Sequence, residues 1–452
     1  MSRYSETSRQ IVHVAMIGFA LLLRYLSWPG AAALAATALA FNWFLLPRVA
    51  PGIMRPAGHA RSGRTGVVCY PLSVLLLVLV FRDRLDLAAA GWAVMAFGDG
   101  AATLAGTRIG GPRLPWNPEK TWSGMGAGAA AGAVGAVGLF LWVGPVMDPA
   151  PSMTFIVWAS IAAAGAAALA ETIPAGLDDN ITVPFTAGAV LWLAAAADPS
   201  AVARLPALAA RLPMGVALNG LMAWSAYLRG SLTLTGAIVG AIIGLVVYLG
   251  AGLPGWLLLF AAFVAAVVSS RLGLARKEAL GIAEERGGRR GAGNALANLV
   301  VGAAGACLMA ASGGWWAAPI VFIAGVVAGA SDTVASEIGK AFGGTPRLVP
   351  SGRPAPPGTP GAVSIAGTLA GLVAALMMAL PAADALIGMP DTIPATVAVV
   401  VGATLGAFLE SALAARFEAR GILTNDLLNF INTAAAALAA VLLFQPIARM
   451  LE

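Results

Sequence analysis

The chain has 452 residues, is 59% hydrophobic and 11% charged, contains 55 glycines and has a mean hydropathy of +0.84. An average soluble domain carries roughly 25% charged residues, so this composition excludes a soluble globular enzyme, and apolar runs recurring from end to end exclude a disordered or collagen-like chain. The net charge of +6 comes with no nucleic-acid motif and fits lysines and arginines gathered in cytoplasmic loops.

The expected fold is all-α, a polytopic bundle of about 15 transmembrane helices in two related halves. In the first half, spans are expected near 11–27, 30–46, 67–81, 87–106, 124–146, 153–173 and 183–198. His13 and Arg24 interrupt the first run, which reads as a membrane helix and not as a cleaved signal. A linker at 199–212 with Pro199 and Pro206 separates the domains 1–198 and 213–452. In the second half, spans are expected near 213–228, 232–250, 254–270, 293–311, 317–340, 361–380, 393–414 and 427–446. With the N-terminus inside, most of the 27 Lys and Arg residues fall in cytoplasmic loops. The two cysteines, Cys69 and Cys307, lie far apart in apolar runs and suggest neither a disulfide nor a thiolate site, and two histidines make a histidine-based metal site an unfavoured reading.

A repeat locates the chemistry. Asp99 to Gly111 and Asp332 to Gly344 share the pattern D-x-x-A-[ST]-x-x-G-x-x-x-G-G, and Pro-Arg-Leu follows each, at 112–114 and 346–348. In a chain rich in Gly and Ala the glycine spacing alone is weak, but an aspartate in register plus the shared tripeptide points to duplication. Downstream, Glu171 precedes Asp178-Asp179-Asn180, and Glu410 precedes Asn425-Asp426 and Asn429. Each half thus offers an acidic helix end, a Gly-rich loop and an Asp/Asn cluster on one expected face, and carboxylates at membrane depth are costly unless they serve a site.

Carboxylates and amides are hard oxygen donors suited to Mg²⁺. Asp99, Asp179 and Asn180, then Asp332, Asn425, Asp426 and Asn429, are the candidate ligands, with Asp99, Asp178, Asp179, Asp332 and Asp426 the candidate catalytic acids. Gly110-Gly111 and Gly343-Gly344 would let backbone N–H groups approach an anion, and Arg113, Lys120 and Arg347 supply charge. Together these features describe phosphoryl transfer, and the lack of G-x-x-x-x-G-K-[ST] excludes a P-loop ATPase. Asp178 to Asn180 and Asn425 to Asn429 read alternatively as helix caps. Glu171, Glu337 and Glu410 either line the site, Glu337 then as a further metal ligand, or pair with neighbouring cations.

The first half, with Glu6, Arg9 and His13, Phe97-Gly98-Asp99-Gly100, Pro115 to Gly124 containing Lys120-Thr121, and Asp178 to Pro184, resembles phytol kinases. Their wider relatives are dolichol kinases and phosphatidate cytidylyltransferases, which use CTP; Gln10 stands where such proteins often carry a basic residue. The second half resembles phytyl-phosphate kinases through Ser269-Ser270-Arg271, Lys277, Gly288-Arg289-Arg290, Asn294, Asn298, Ser331 to Gly339, Pro357 to Ser364 and Asn425 to Phe430, with Glu410-Ser411 where Asp-Ser is usual.

The resemblance implies a bifunctional enzyme. The first half would phosphorylate an isoprenoid alcohol, the second would phosphorylate the monophosphate to a diphosphate, and both would use Mg²⁺ and CTP or another nucleoside triphosphate. The reaction would face the cytoplasm of a bacterial-type inner membrane. Lys120 and Thr121 would contact nucleotide phosphate in the first half. Lys120-Thr121 has no lysine counterpart at Gly358-Thr359, while Lys277, Arg289 and Arg290 would add cations for a phosphorylated acceptor. The competing readings are a CTP-dependent cytidylyltransferase making a CDP-lipid and a transporter built from internal repeats.

Overall fold

The computed structural model describes residues 16–49, 65–115, 117–173, 178–197, 201–283, 289–349, 351–418 and 423–451. Glu6, Arg9, Gln10, His13 and Gly288 lie outside the described residues. The chain divides into two compact units, Met1–Ala195 and Ala196–Glu452, built almost wholly of helices.

Unit 1 begins with a 3-10 helix, Met16–Arg24, whose Arg24 donates to the Trp142 carbonyl at 2.6 Å and lies 4.8 Å from the centre of the Trp142 ring. Then come α1 (Trp28–Ala40), α2 (Thr65–Val80) and α3 (Leu85–Arg108). A hairpin of β1 (Arg113–Leu114) and β2 (Asn117–Thr121) leads into α4 (Trp122–Val143), α5 (Met153–Thr172) and α6 (Asp179–Ala196). Helix α3 is the centre of the unit, buried without interruption from Leu85 to Ala96. Small side chains permit this: every residue of Ala88-Ala89-Ala90-Gly91 lets a neighbouring helix close in. The one acid in that stretch, Asp86, is paired by Arg84 in a two-pronged contact at 2.9 and 2.7 Å.

Unit 2 comprises α7 (Ala201–Leu228), α8 (Leu234–Arg271), the short α9 (Leu274–Ala279), α10 (Ala292–Ala311) and α11 (Ala317–Phe342). A second hairpin, β3 (Arg347–Leu348) with β4 (Ala362–Val363), precedes α12 (Ile365–Leu386), α13 (Thr392–Leu413) and α14 (Asn425–Leu451). Here α11 is the buried centre, with every residue from Phe322 to Ser331 inside. Large apolar side chains such as Leu369, Val373 and Met377 on α12 face outward, where lipid tails would solvate them.

The duplication extends to packing. On α4, a Cβ added to Gly124 would meet the Ala102 carbonyl at 2.9 Å, and one added to Gly128 would meet Ala102 Cβ at 3.1 Å and the Gly98 carbonyl at 3.2 Å. On α12, a Cβ added to Gly367 would meet the Ala335 carbonyl at 2.5 Å, and one added to Gly371 would meet Ala335 Cβ at 2.9 Å and the Ser331 carbonyl at 3.1 Å. Ala102 and Gly98 stand at the same offsets from Asp99 as Ala335 and Ser331 do from Asp332. In each unit, therefore, two glycines one turn apart let the helix after the hairpin lie against the aspartate-bearing helix.

Eleven helices among the described residues are long and apolar enough to cross a membrane, fewer than the about 15 spans expected from hydrophobic runs. Four expectations account for the difference. The runs at 232–250 and 254–270 are the two helical parts of α8, broken between them at the non-helical Gly252 (φ 66, ψ −162) ahead of Pro254, and together they make one of the eleven. The run at 67–81 forms a shorter apolar stretch, Val67–Val80, the run at 183–198 lies in α6, outside the eleven, and 11–27 contributes the 3-10 helix. The expected linker 199–212 is also corrected. Residues 201–212 continue helix α7, because Pro206 and Pro213 sit within an apolar, alanine- and leucine-rich segment that holds helical geometry around them.

Candidate functional site

In unit 1 the C-terminal half of α3, the hairpin, the end of α5 and the start of α6 bring four charged side chains together. Asp99, Glu171 and Asp179 each place a carboxylate oxygen within 4.8 Å of the other two. Lys120, on β2, reaches into them and donates to Glu171 Oε1 at 2.7 Å and Asp179 Oδ2 at 3.5 Å. Glu171 is buried, whereas Asp99, Lys120 and Asp179 are half-buried, so the cluster opens on one side. Burial alone would pull the Lys120 pKa down; the carboxylates of Glu171, Asp179 and Asp99 outweigh it, and the net shift is upward.

The hairpin is pinned where this geometry needs it. Asn117 Nδ2 donates to the Thr172 carbonyl at 2.9 Å, tying β2 to the end of α5 beside Glu171. Thr121 caps α4 by accepting from Gly124 N at 3.1 Å. Gly110 and Gly111 take φ values of 68 and 115, which turn the chain from α3 into β1, and Ser123 Oγ donates to the Gly110 carbonyl.

Unit 2 repeats the frame with different side chains. Asp332 and Glu337 on α11, Glu410 on α13, and Asn425 and Asn429 on α14 line a cavity of about 360 Å³ together with Asn294, Lys340 and Thr359. Ser364 caps α12 by accepting from Gly367 N at 3.1 Å, as Thr121 does in unit 1. Glu337 holds two lysines, with Lys277 Nζ on Oε2 at 2.7 Å and Lys340 Nζ on Oε1 at 2.8 Å. Glu410 stands beside the buried amide of Asn432, and Asn298 Oδ1 is buried without a hydrogen-bond partner.

Both places suit a divalent cation. In unit 1 three carboxylates face one lysine, leaving an excess of negative charge among hard oxygen donors; in unit 2 the cavity gathers the carboxylates of Asp332 and Glu410 with the amides of Asn425 and Asn429. Asp99, Glu171 and Asp179 would hold the ion in unit 1, and Asp332 and Glu410 in unit 2.

Several expected roles change. Asp178 accepts at one oxygen from both Asn180 N and Asn180 Nδ2, each at 2.9 Å, a helix-start motif, and Asp178 is not one of the three clustered carboxylates. Asp426 does not line the cavity; Asn425 and Asn429 do. Glu337 has both carboxylate oxygens occupied by lysines and acts as their anchor, not as a metal ligand. Lys277 is fully buried and also donates to the Ser270 carbonyl at 2.6 Å, which removes it from direct phosphate contact. Arg289 and Arg290 lie off the cavity, Arg290 donating to Ser270 Oγ at 3.3 Å and to the Ala266 carbonyl at 3.4 Å.

The amides of Gly110 and Gly343 are already used, donating to the carbonyls of Ala105 and Gly339, and Gly343 keeps an ordinary helical φ of −76. Gly343 is needed for close packing, since an added Cβ would overlap Ser364 Oγ; Gly344, at φ 63, makes the turn. Arg113 reaches across its own hairpin to the Glu119 carbonyl at 3.3 Å, away from the carboxylates. Thr359 bonds the Pro356 carbonyl at 2.7 Å while lining the cavity. The caps also correct the alignment of the two halves: Thr121 matches Ser364, so Lys120 corresponds to Val363 and not to Gly358. Lys340 is a cavity residue that the spacing argument passed over, although it lies in the repeat itself, eight positions after Asp332 as Thr107 is after Asp99.

Comparison with known proteins bears on this geometry. The family model described as integral membrane protein DUF92 matches residues 217–437. The chain is 37% identical over 132 residues to an uncharacterized membrane protein of Synechocystis, covering 28% of this chain and 50% of that one. It is 36% identical over 141 residues to Protein VTE6, chloroplastic, of Arabidopsis thaliana, covering 30% and 42%. It is 29% identical over 200 residues to Probable phytol kinase 2, chloroplastic, of Oryza sativa subsp. japonica, covering 40% and 64%. The chain thus spans about half the length of the curated relatives it matches. No solved structure matches.

Proposed function

We propose that the chain is a bifunctional prenyl-alcohol kinase of the membrane. Unit 1 transfers a phosphoryl group from a nucleoside triphosphate, CTP in the favoured reading, to phytol or a related alcohol. Unit 2 transfers a second group to the monophosphate, giving the prenyl diphosphate. The observation that carries this reading is the carboxylate–lysine cluster of Asp99, Lys120, Glu171 and Asp179, set at one end of apolar helices and echoed by Asp332 and Glu410 on the repeated frame. Relatives named as phytol kinases support the acceptor class.

Phosphoryl transfer asks a protein mainly for positioning and charge, and both are present here. A Mg²⁺ ion held by the carboxylates would neutralise charge on the transferring phosphoryl group. Lys120 binds donor phosphate, and the buried Glu171 fixes its ammonium at 2.7 Å so that little ordering remains when substrate arrives. Asp99 and Asp179 complete the oxygen set. A long alcohol stays in the bilayer with its hydroxyl at the interface, which suits a site at helix ends. The positively charged loops favour the cytoplasmic face, where nucleotide is available. Placing two sites in one chain keeps the intermediate near its next catalyst.

Label position tests the reaction class. Purified protein in detergent would receive phytol, Mg²⁺ and CTP labelled either on the γ-phosphate or on the cytosine. The proposal predicts γ-label in the lipid product and release of CDP. Cytosine label in a lipid, with pyrophosphate released, would replace the kinase by a cytidylyltransferase.

A further inference from the structure

Glu171 and Glu410 stand near the ends of matching helices, α5 and α13, but different groups hold them. In unit 1 the ammonium of Lys120 sits on Glu171 at 2.7 Å. In unit 2 the matching hairpin position is Val363, Lys340 is held by Glu337 at 2.8 Å, and among the described residues no Lys or Arg pairs with Glu410.

The face of α13 that carries Glu410 is shaped to bring α14 against it. Gly402, Gly406 and Glu410 recur every four residues, on one side of the helix. A Cβ added to Gly402 would meet the Ala436 carbonyl at 2.6 Å, and one added to Gly406 would meet Asn432 Oδ1 at 2.5 Å and the Asn432 carbonyl at 2.6 Å. One turn beyond Gly406, the acid beside Asn432 is Glu410. Asn432 is fully buried and does not line the cavity, whereas Asn429, three residues earlier on α14, does. An amide at membrane depth costs free energy unless a polar group answers it. In unit 1, where the acid has a lysine, helix α6 carries a single amide, Asn180 in its first turn, and Asp178 engages it.

An ammonium and an amide act differently on a carboxylate. The ammonium orients it and cancels its charge; the neutral amide orients it through a donated hydrogen bond and leaves the charge for a cation.

We infer that Asn432 is a positioning residue of the second site: its amide donates to the Glu410 carboxylate and holds it toward the cavity, where Glu410 and Asp332 take a divalent cation. The inference rests on the reading of unit 2 as a cation-dependent transferase. Asn432 touches neither ion nor substrate and acts through Glu410.

Mn²⁺, a paramagnetic stand-in for Mg²⁺, tests this by titration into the full-length protein in detergent without nucleotide, with free ion read by electron paramagnetic resonance. Wild type is expected to bind one ion per unit, and Glu410→Gln identifies the unit 2 ion by weakening it alone. Losing the hydrogen-bond partner behind a metal ligand costs roughly tenfold to hundredfold in affinity. Asn432→Leu is expected to weaken the unit 2 ion by about that factor and leave the unit 1 ion unchanged. In activity, at fixed Mg-CTP, the free Mg²⁺ needed for half-maximal conversion of monophosphate to diphosphate rises by a like factor, and excess Mg²⁺ restores the rate, which shows that unit 2 is folded. An unchanged unit 2 ion in Asn432→Leu, an equal loss at both ions, or a rate that excess Mg²⁺ does not restore would each overturn the role of Asn432 while leaving unit 2 a transferase. A wild-type protein whose Mn²⁺ binding is unaltered by Glu410→Gln would overturn unit 2 as a cation site, and the inference with it.

Discussion

Replacing Lys277 by methionine is a demanding test of how unit 2 is held together. The Lys277 side chain is 1% exposed and that of Glu337 3%, and their contact is 2.7 Å long. Such a pair adds little over a well-packed apolar pair, but removing one partner strands a charge where water cannot reach it, at a typical cost of about 3 to 5 kcal/mol. Lys340 still holds Oε1 of Glu337 at 2.8 Å, so the lower end applies, about 3 kcal/mol. Part of that cost is recoverable: Lys277→Met with Glu337→Gln leaves no stranded charge, and a double-mutant cycle should give a coupling of about 2 kcal/mol between the two positions. The assay is reversible denaturant unfolding in detergent of wild type, both single variants and the double variant. Lys277→Met unfolding like wild type, or a double variant no better than the sum of the singles, would refute the argument that Lys277 exists to neutralise Glu337.

Two further outcomes follow from the repeated frame and from Lys120. Thr121→Ala and Ser364→Ala each remove an equivalent helix cap and should each cost about 1 kcal/mol in unfolding measurements; a large loss from only one would contradict the structural equivalence of the hairpins. The Lys120 pKa is raised by its carboxylate neighbours, so the stability its charge contributes is fully present below the ordinary lysine value of about 10.4 and is lost as pH rises through the higher folded value. The stability gap between wild type and Lys120→Met should therefore be larger at about pH 8 than at about pH 11, and an equal gap at both would contradict the pairing.

Much of the frame was legible in the amino-acid sequence because a duplicated aspartate in a fixed setting of small residues records a helix and its packing. Asp99 and Asp332 occupy matching places, and the glycines after each hairpin let the next helix close on them. The carboxylates Glu171 and Glu410 also declare themselves, as acids at the ends of apolar runs, yet spacing does not decide between site and salt bridge. Glu171 does both, contacting Lys120 while standing within 4.8 Å of Asp99 and Asp179. Spacing misassigned the cations, because charge near a motif in sequence is not charge near it in space: Arg290 anchors the end of α8, Lys277 is sealed behind Glu337, and the cavity lysine is Lys340. Hydropathy read two spans in α8, and the non-helical Gly252 breaks the chain between them. Pro206 suggested a linker but sits within a helix.

The most direct test of the central claim, two sequential transfers at two related sites, is product analysis of Asp99→Ala and Asp332→Ala proteins supplied with phytol, CTP and Mg²⁺. The account predicts that wild type makes phytyl diphosphate, that Asp332→Ala stops at the monophosphate, and that Asp99→Ala makes diphosphate only when monophosphate is added. If both variants instead lost the same single step, or if Asp99→Ala still converted phytol to diphosphate, the division of labour between the two sites would be contradicted.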